Sequence, residues 1–122
     1  MSSFTEELEY EFTGSYLNGN PIYIITKNFS YALGSLESPI CVFNIPAGYL
    51  TDMASIPFPI NFLFKPNGPW AKAAVLHDYI TGEFFDISRI VADGVFLEAM
   101  TVLKINLFIA YLFYFAVRFA HL

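Results

Sequence analysis

The hydrophobic pattern changes character halfway along the chain. Residues 8–12 (Leu-Glu-Tyr-Glu-Phe) alternate apolar and polar positions, which predicts a half-buried strand. Residues 22–26 and 40–45 are rich in β-branched and aromatic residues and predict two further strands. Turn-forming residues from Gly14 to Asn20 separate the first two. The first half therefore predicts a small antiparallel meander.

The second half has the apolar spacing of helices. Pro69 suits the first position of a helix, Gly82 suits a helix C-cap, and Asp86 suits the N-cap of the next helix. The predicted helices cover residues 70–81, 87–103 and 105–119. We therefore expect an α+β fold with a small N-terminal antiparallel β-sheet, a Pro-rich loop and two to three packed α-helices. At 122 residues the chain fits a single domain, β-rich over about 1–50 and helical over about 69–119.

The last predicted helix contains a long apolar run. Leu107 to Val117 carries no charge, and Lys104 and Arg118 bracket it. The stretch between those two charges would extend about 20 Å as a helix, whereas a bilayer core needs about 30 Å. A transmembrane span is therefore not expected. A helix docked in the core is the first expectation, and an interfacial or oligomer-forming helix is the alternative.

The amino-acid composition limits the kinds of partner that the chain is expected to bind. Hydrophobic residues make up 56% of the chain and charged residues 14%, and this surplus of apolar surface predicts a protein partner, a homo-oligomer or contact with a lipid surface. The net charge is −5 and no basic run exists, so nucleic-acid binding is not expected. Cys41 is the single cysteine, which excludes an internal disulfide, and its strand-like surroundings predict a small buried hydrophobe. No secretory signal pattern is visible at the N-terminus.

Two polar residues fall on apolar helical stripes. His77 shares a face with Trp70, Ala73 and Ile80, and Asp93 shares one with Ile90, Leu97 and Met100. The short connection around residues 82–86 predicts antiparallel neighbouring helices, in which His77 and Asp93 meet at the same level.

This pair supports two interpretations. A carboxylate on one imidazole nitrogen fixes the tautomer and leaves the other nitrogen as a base, which predicts catalysis by His77 and Asp93. Alternatively, the two form a buried hydrogen-bonded pair between packed helices. Ser55 as a nucleophile is disfavoured, because its Pro-rich loop has no nucleophile elbow.

Three segments together resemble a known family. They are residues 46–57 (Pro-Ala-Gly-Tyr-Leu-Thr-Asp-Met-Ala-Ser-Ile-Pro), 73–78 (Ala-Ala-Val-Leu-His-Asp) and 92–100 (Ala-Asp-Gly-Val-Phe-Leu-Glu-Ala-Met). With the closing Tyr-Phe-Ala-Val-Arg118, they resemble the phage and prophage family called domain of unknown function 1353. The resemblance implies a bacteriophage or prophage origin and a location in the host cytoplasm or the virion.

A second resemblance concerns mechanism. His-Asp on one helix and Ala-Asp-x-x-Phe on the next is similar to the core of phospholipase A2. That resemblance implies that His77 is the base, Asp78 a calcium ligand and Asp93 the group that orients the histidine. The family's tyrosine four residues after the histidine is Thr81 here. Asp52 either bonds nearby backbone N–H groups or folds over the His77 site as a further metal ligand.

Two functions follow as expectations. The first is a hydrolase of ester or phospholipid type, centred on His77 and Asp93 and assisted by calcium. The alternative is a non-catalytic virion or assembly protein that binds a protein partner through its apolar C-terminal helix and aromatic surface.

Overall fold

A computed structural model describes residues 2–17, 19–34, 40–52, 68–82 and 88–119. The chain forms two compact units, Met1–Met53 and Ala54–Leu122. In the described residues the first unit contains six strands in antiparallel pairs and the second contains three helices. The fold class is therefore α+β, as predicted. The expectation that both units belong to a single domain stays a prediction.

The strands of the N-terminal unit form two three-stranded sheets. The first has the order β1–β4–β5, built from Ser3–Phe4, Phe29–Leu33 and Cys41–Ile45. The second has the order β2–β3–β6, built from Tyr10–Leu17, Asn20–Ile25 and Leu50–Thr51. The predicted single meander is wrong, because alternation identifies a strand without identifying its partner.

The β2–β3 hairpin is longer than the sequence predicted. Its pairing shifts register between Phe12 and Tyr16, and Gly14 lies within the shift with a φ of +87°. A glycine tolerates this left-handed backbone, so β2 bends there and continues to Leu17 instead of ending in a turn. The predicted turn from Gly14 to Asn20 is therefore wrong for all but its last residues.

The first sheet carries much of the core of this unit. Strand β4 was not predicted, yet Phe29 and Tyr31 are among the most completely buried side chains of the chain. On β5 the buried positions are Phe43 and Ile45, whereas Cys41 is exposed. The prediction that Cys41 is buried is wrong, because this residue begins an edge strand.

The three helices begin and end close to their predicted limits. They are α1 (Ala71–Ile80), α2 (Arg89–Val102) and α3 (Leu107–Phe119). The N-cap of α2 is Ser88, whose hydroxyl accepts a hydrogen bond from the Val91 N–H at 3.3 Å. Asp86 is therefore not the cap, and it lies outside the described residues. Helix α1 has Thr81 as its C-cap, one residue before the predicted Gly82.

Helix α2 packs against both α1 and α3. Trp70, just before α1, also meets Phe113 of α3 edge to face, with ring centroids 5.0 Å apart. Helix α3 buries Ala110 and Phe113 but leaves much of its apolar surface exposed, so it is docked along one face only. Among the described residues, no helix combines the length and the hydropathy needed to cross a membrane.

Candidate functional site

His77 and Asp93 meet inside the helical unit. Nε2 of His77, on α1, lies 2.6 Å from Oδ1 of Asp93, on α2. His77 is 3% exposed and Asp93 is completely buried. The predicted contact between the two side chains is therefore confirmed, while their catalytic role stays a prediction.

Asp93 also has two arginine partners. Nη1 of Arg118, near the end of α3, donates to Oδ2 of Asp93 at 3.0 Å. Nε of Arg89, one turn earlier on α2, lies 3.6 Å from Oδ1 of Asp93. At this distance the two side chains form an ion pair but not a good hydrogen bond. The carboxylate thus connects all three helices. This arrangement meets the requirement that a buried charge be paired.

The ion pairs of Asp93 indicate which ring nitrogen of His77 carries the proton. Because one carboxylate oxygen accepts from Arg118, Asp93 acts as an acceptor, and Nε2 of His77 is the donor in the short bond between them. In the neutral imidazole the lone pair then belongs to Nδ1. The arginines balance the carboxylate, so His77 need not carry a positive charge to satisfy it. A catalytic role for this pair would use Nδ1 as the base.

The sequence pattern of each helix explains how these groups come together. On α1 the predicted stripe is buried, including Ala73, His77 and Ile80. On α2 the buried stripe runs through Asp93, Phe96 and Met100. Ile90 is predicted to share this face with Asp93, but it is exposed, because it lies in the first turn of a helix that begins at Arg89.

An aromatic ring covers the histidine. Phe96, one turn after Asp93 on α2, packs against His77 with ring centroids 4.7 Å apart and planes tilted by 36°. Such contact with an apolar ring restricts rotation of the imidazole and shields it from water. The ring is therefore held by a hydrogen bond along its edge and by packing on its face.

The structure describes both predicted metal ligands, Asp78 and Asp52. Asp78 is half-buried on α1 next to His77, and Asp52 is half-buried directly after β6 in the N-terminal unit. In the described part of the chain, no three histidine, cysteine or acidic side chains group as metal ligands would. Calcium takes about six to eight oxygens, so the described residues do not by themselves fit it, and we derive no step through a metal. Ser55 lies outside the described residues.

Sequence reasoning missed three members of the site. Arg89 could have been found, because it precedes Asp93 by four residues and such pairs face each other on a helix. Phe96 follows Asp93 by three residues and shares its face for the same reason. Arg118 gave a weaker signal: it is a lone cation ending an apolar helix, and only the packing of α3 brings it to Asp93.

Comparison with known proteins identifies a family without identifying an activity. No curated protein and no solved structure matches the chain. A family model described as "Protein of unknown function (DUF1353)" matches residues 24–117, which is most of the chain and includes every residue of the His77–Asp93 cluster except Arg118. The chain therefore belongs to the DUF1353 family.

Proposed function

We propose that this chain is a hydrolase of ester or phospholipid type, with His77 as its general base and Asp93 as the group that positions it. The observation that carries the proposal is the 2.6 Å bond from Nε2 of His77 to a carboxylate that Arg118 holds in place. We place the protein in a phage or prophage context, in the host cytoplasm or the virion, on the strength of its family motifs.

The proton transfers of the proposed reaction involve His77 and water. Nδ1 of His77 removes a proton from water, and the resulting hydroxide attacks the ester carbonyl carbon. The tetrahedral intermediate then collapses, the bond from carbon to the alcohol oxygen breaks, and the protonated imidazole returns its proton to the leaving alcohol. Asp93 supports the transient imidazolium, as the carboxylate does in hydrolytic triads.

The competing interpretation is a purely structural pair. Because His77 is only 3% exposed, a substrate has to reach the ring through a small accessible edge. The same burial is typical of a hydrogen-bonded pair that holds two helices together. Activity measurements must therefore separate loss of chemistry from loss of fold.

The test uses p-nitrophenyl butyrate and phosphatidylcholine micelles, each with calcium or with a chelator. General-base catalysis contributes about 10²- to 10⁴-fold, so His77→Gln should lower hydrolysis by at least the smaller factor. Lys104→Gln, an exposed change outside the cluster, should retain full activity. Circular dichroism and Trp70 fluorescence confirm that each variant is folded. Full activity in a folded His77→Gln protein refutes the proposal.

Calcium is a separate arm of this test. Asp78→Asn should abolish any calcium-dependent part of the rate if Asp78 is a ligand, as the phospholipase resemblance implies. A rate that is equal in calcium and chelator, and unchanged in Asp78→Asn, removes the metal from the proposal and leaves the His77–Asp93 chemistry intact.

The exposed face of α3 favours a second candidate, a virion or assembly protein that binds a partner. Apolar side chains that line a groove on this helix or lie at its end are 47–76% exposed. They are Leu107, Phe108, Tyr111, Phe115 and Phe119. Surface of this kind usually contacts another protein or a lipid. This candidate predicts self-association by light scattering that Phe108→Gln weakens. A monomer that binds neither virion proteins nor lipid vesicles contradicts it.

A further inference from the structure

The two arginines at Asp93 leave the cluster with more positive than negative charge. The chain has only two arginines, Arg89 and Arg118, and both approach the same carboxylate. Within the described residues, Asp93 is the one acidic side chain in ion-pair distance of either guanidinium. With His77 neutral, two positive groups therefore face one negative group.

The arrangement of these charges is directional. Asp93 is fully buried, whereas the side chains of Arg89 and Arg118 are 36% and 25% exposed. Among the described residues, the part of the cluster in contact with solvent is therefore cationic, although the whole chain has a net charge of −5. An anion approaching from solvent meets the guanidiniums before it meets the carboxylate.

Hydrogen bonding leaves this cationic side unsatisfied. Among the described residues, Nε of Arg89 is buried without a hydrogen-bond partner and faces Asp93 at 3.6 Å, so an anion from solvent has to bind the Nη groups of this side chain. Arg118 uses Nη1 on Asp93. A guanidinium has five N–H donors, so most of the donors of this pair remain for another acceptor. Arginine suits such a role because its planar fork matches the oxygens of phosphate and carboxylate groups.

We propose that Arg89 and Arg118 form a binding site for a phosphate-type anion beside His77. The site deepens the proposed hydrolase function, on which its role in catalysis rests: an anionic group held by the guanidiniums anchors the substrate on the Nε2 side of His77, and the ester of the same substrate has to extend to Nδ1 on the opposite edge of the ring. The substrate class is then a carboxylic ester that also carries a phosphate group, either a phospholipid or a soluble ester.

Binding is measured separately from catalysis. The first arm titrates the full-length protein with inorganic phosphate, at constant ionic strength maintained with chloride, and follows heat and backbone amide shifts by calorimetry and NMR. We expect saturable binding with shifts concentrated around α2 and the end of α3. Losing one charge-assisted contact should weaken affinity by about tenfold or more in Arg89→Gln. Lys104→Gln removes an equal charge elsewhere and should bind phosphate as the parent does.

His77→Gln distinguishes this proposal from the proposed function. It should lose hydrolysis but keep phosphate binding, because it removes the base and neither guanidinium. Phosphate binding without hydrolysis in the parent would retain the anion site and refute the hydrolase.

A second arm identifies the source of the anion. Vesicles of phosphatidylglycerol are compared with glycerol phosphate at equal phosphate concentration, and each should bind less well to Arg89→Gln. Stronger binding to vesicles assigns the site to a lipid headgroup, and stronger binding to glycerol phosphate assigns it to a soluble ester. Absence of saturable phosphate binding, or equal affinity in the parent and Arg89→Gln, overturns the proposal.

Discussion

Asp93→Asn removes the charge that connects the three helices while keeping the size of the side chain. An asparagine offers one acceptor oxygen and one amide group, and the amide presents donors to whichever partner faces it. When its oxygen accepts from Arg118, its amide faces Nε2 of His77, and that contact persists only if the imidazole moves its proton to Nδ1. The substitution also leaves the two arginines without their common carboxylate.

The size of the effect follows from burial. Losing a hydrogen bond that involves a charged group costs about 1.5–3 kcal/mol, and removing one partner of a buried ion pair costs about 3–5 kcal/mol. Both arginines are partly exposed, so water solvates them in part when Asp93 is lost. We therefore expect the free energy of unfolding to fall by about 3 kcal/mol, toward the lower end of the second range.

Urea denaturation followed by tryptophan fluorescence measures this change. Trp70 is the single tryptophan, and it lies in the helical unit against Phe113, so its emission reports on the unit that contains Asp93. With an m-value of about 2 kcal/mol per molar urea, the midpoint should fall by roughly 1.5 M. The m-value itself should not change.

A double-mutant cycle provides the control. Asp93→Asn combined with Arg118→Gln should show a coupling energy of about 1 kcal/mol or more, because the two side chains are in contact. Asp93→Asn combined with Lys104→Gln should be additive. A midpoint that barely moves, or additivity between Asp93 and Arg118, would refute the view that Asp93 is the electrostatic centre of this unit.

Three further predictions test other features. An added Cβ on Gly94, exposed in α2, meets nothing within 4 Å, so Gly94→Ala should stabilise the helix by about 0.5–1 kcal/mol; a lower melting temperature by circular dichroism contradicts this. At Gly68 an added Cβ would overlap the Trp70 ring, so Gly68→Ala should destabilise by about 1–3 kcal/mol and shift the tryptophan emission; an unchanged spectrum and midpoint contradict the clash. The pKa of Lys27 is raised, first by its hydrogen bond to Glu6 and then by nearby negative charge. Its stabilising contribution is therefore present below the unfolded pKa of about 10.4 and is lost as pH rises through the raised value, so melting temperature should fall more between pH 9 and 11 in the parent than in Lys27→Met.

Much of the site could be predicted from the sequence because it depends on local spacing. Helical periodicity placed His77 on the buried face of α1, and the short connection to α2 brought Asp93 opposite it. Arg118 is the third partner, and it reaches Asp93 only because α3 packs against α2. Helical periodicity does not predict how α3 packs. The sequence therefore identifies Arg118 only as a charge at the end of an apolar run.

For the strands, too, the sequence predicts local features but not those that depend on tertiary packing. Alternation predicted part of β2, and β-branched and aromatic residues predicted most of β3 and β5, but neither pattern could assign them to two sheets, since pairing is decided by contacts far apart in the chain. Both patterns also missed β4, where Phe29 and Tyr31 are buried by tertiary packing. Cys41 was misjudged for a related reason, because composition does not reveal that a strand is at the edge of its sheet.

The proposed function requires that Asp93 hold His77 as a neutral base with its lone pair on Nδ1. Nitrogen-15 NMR of the imidazole measures this directly, and the chain has only two histidines to assign. At neutral pH the account predicts that Nε2 of His77 is protonated and Nδ1 is not, and that the Nε2 signal shifts in Asp93→Asn. An imidazole protonated on Nδ1 at that pH, alone or together with Nε2, would contradict it.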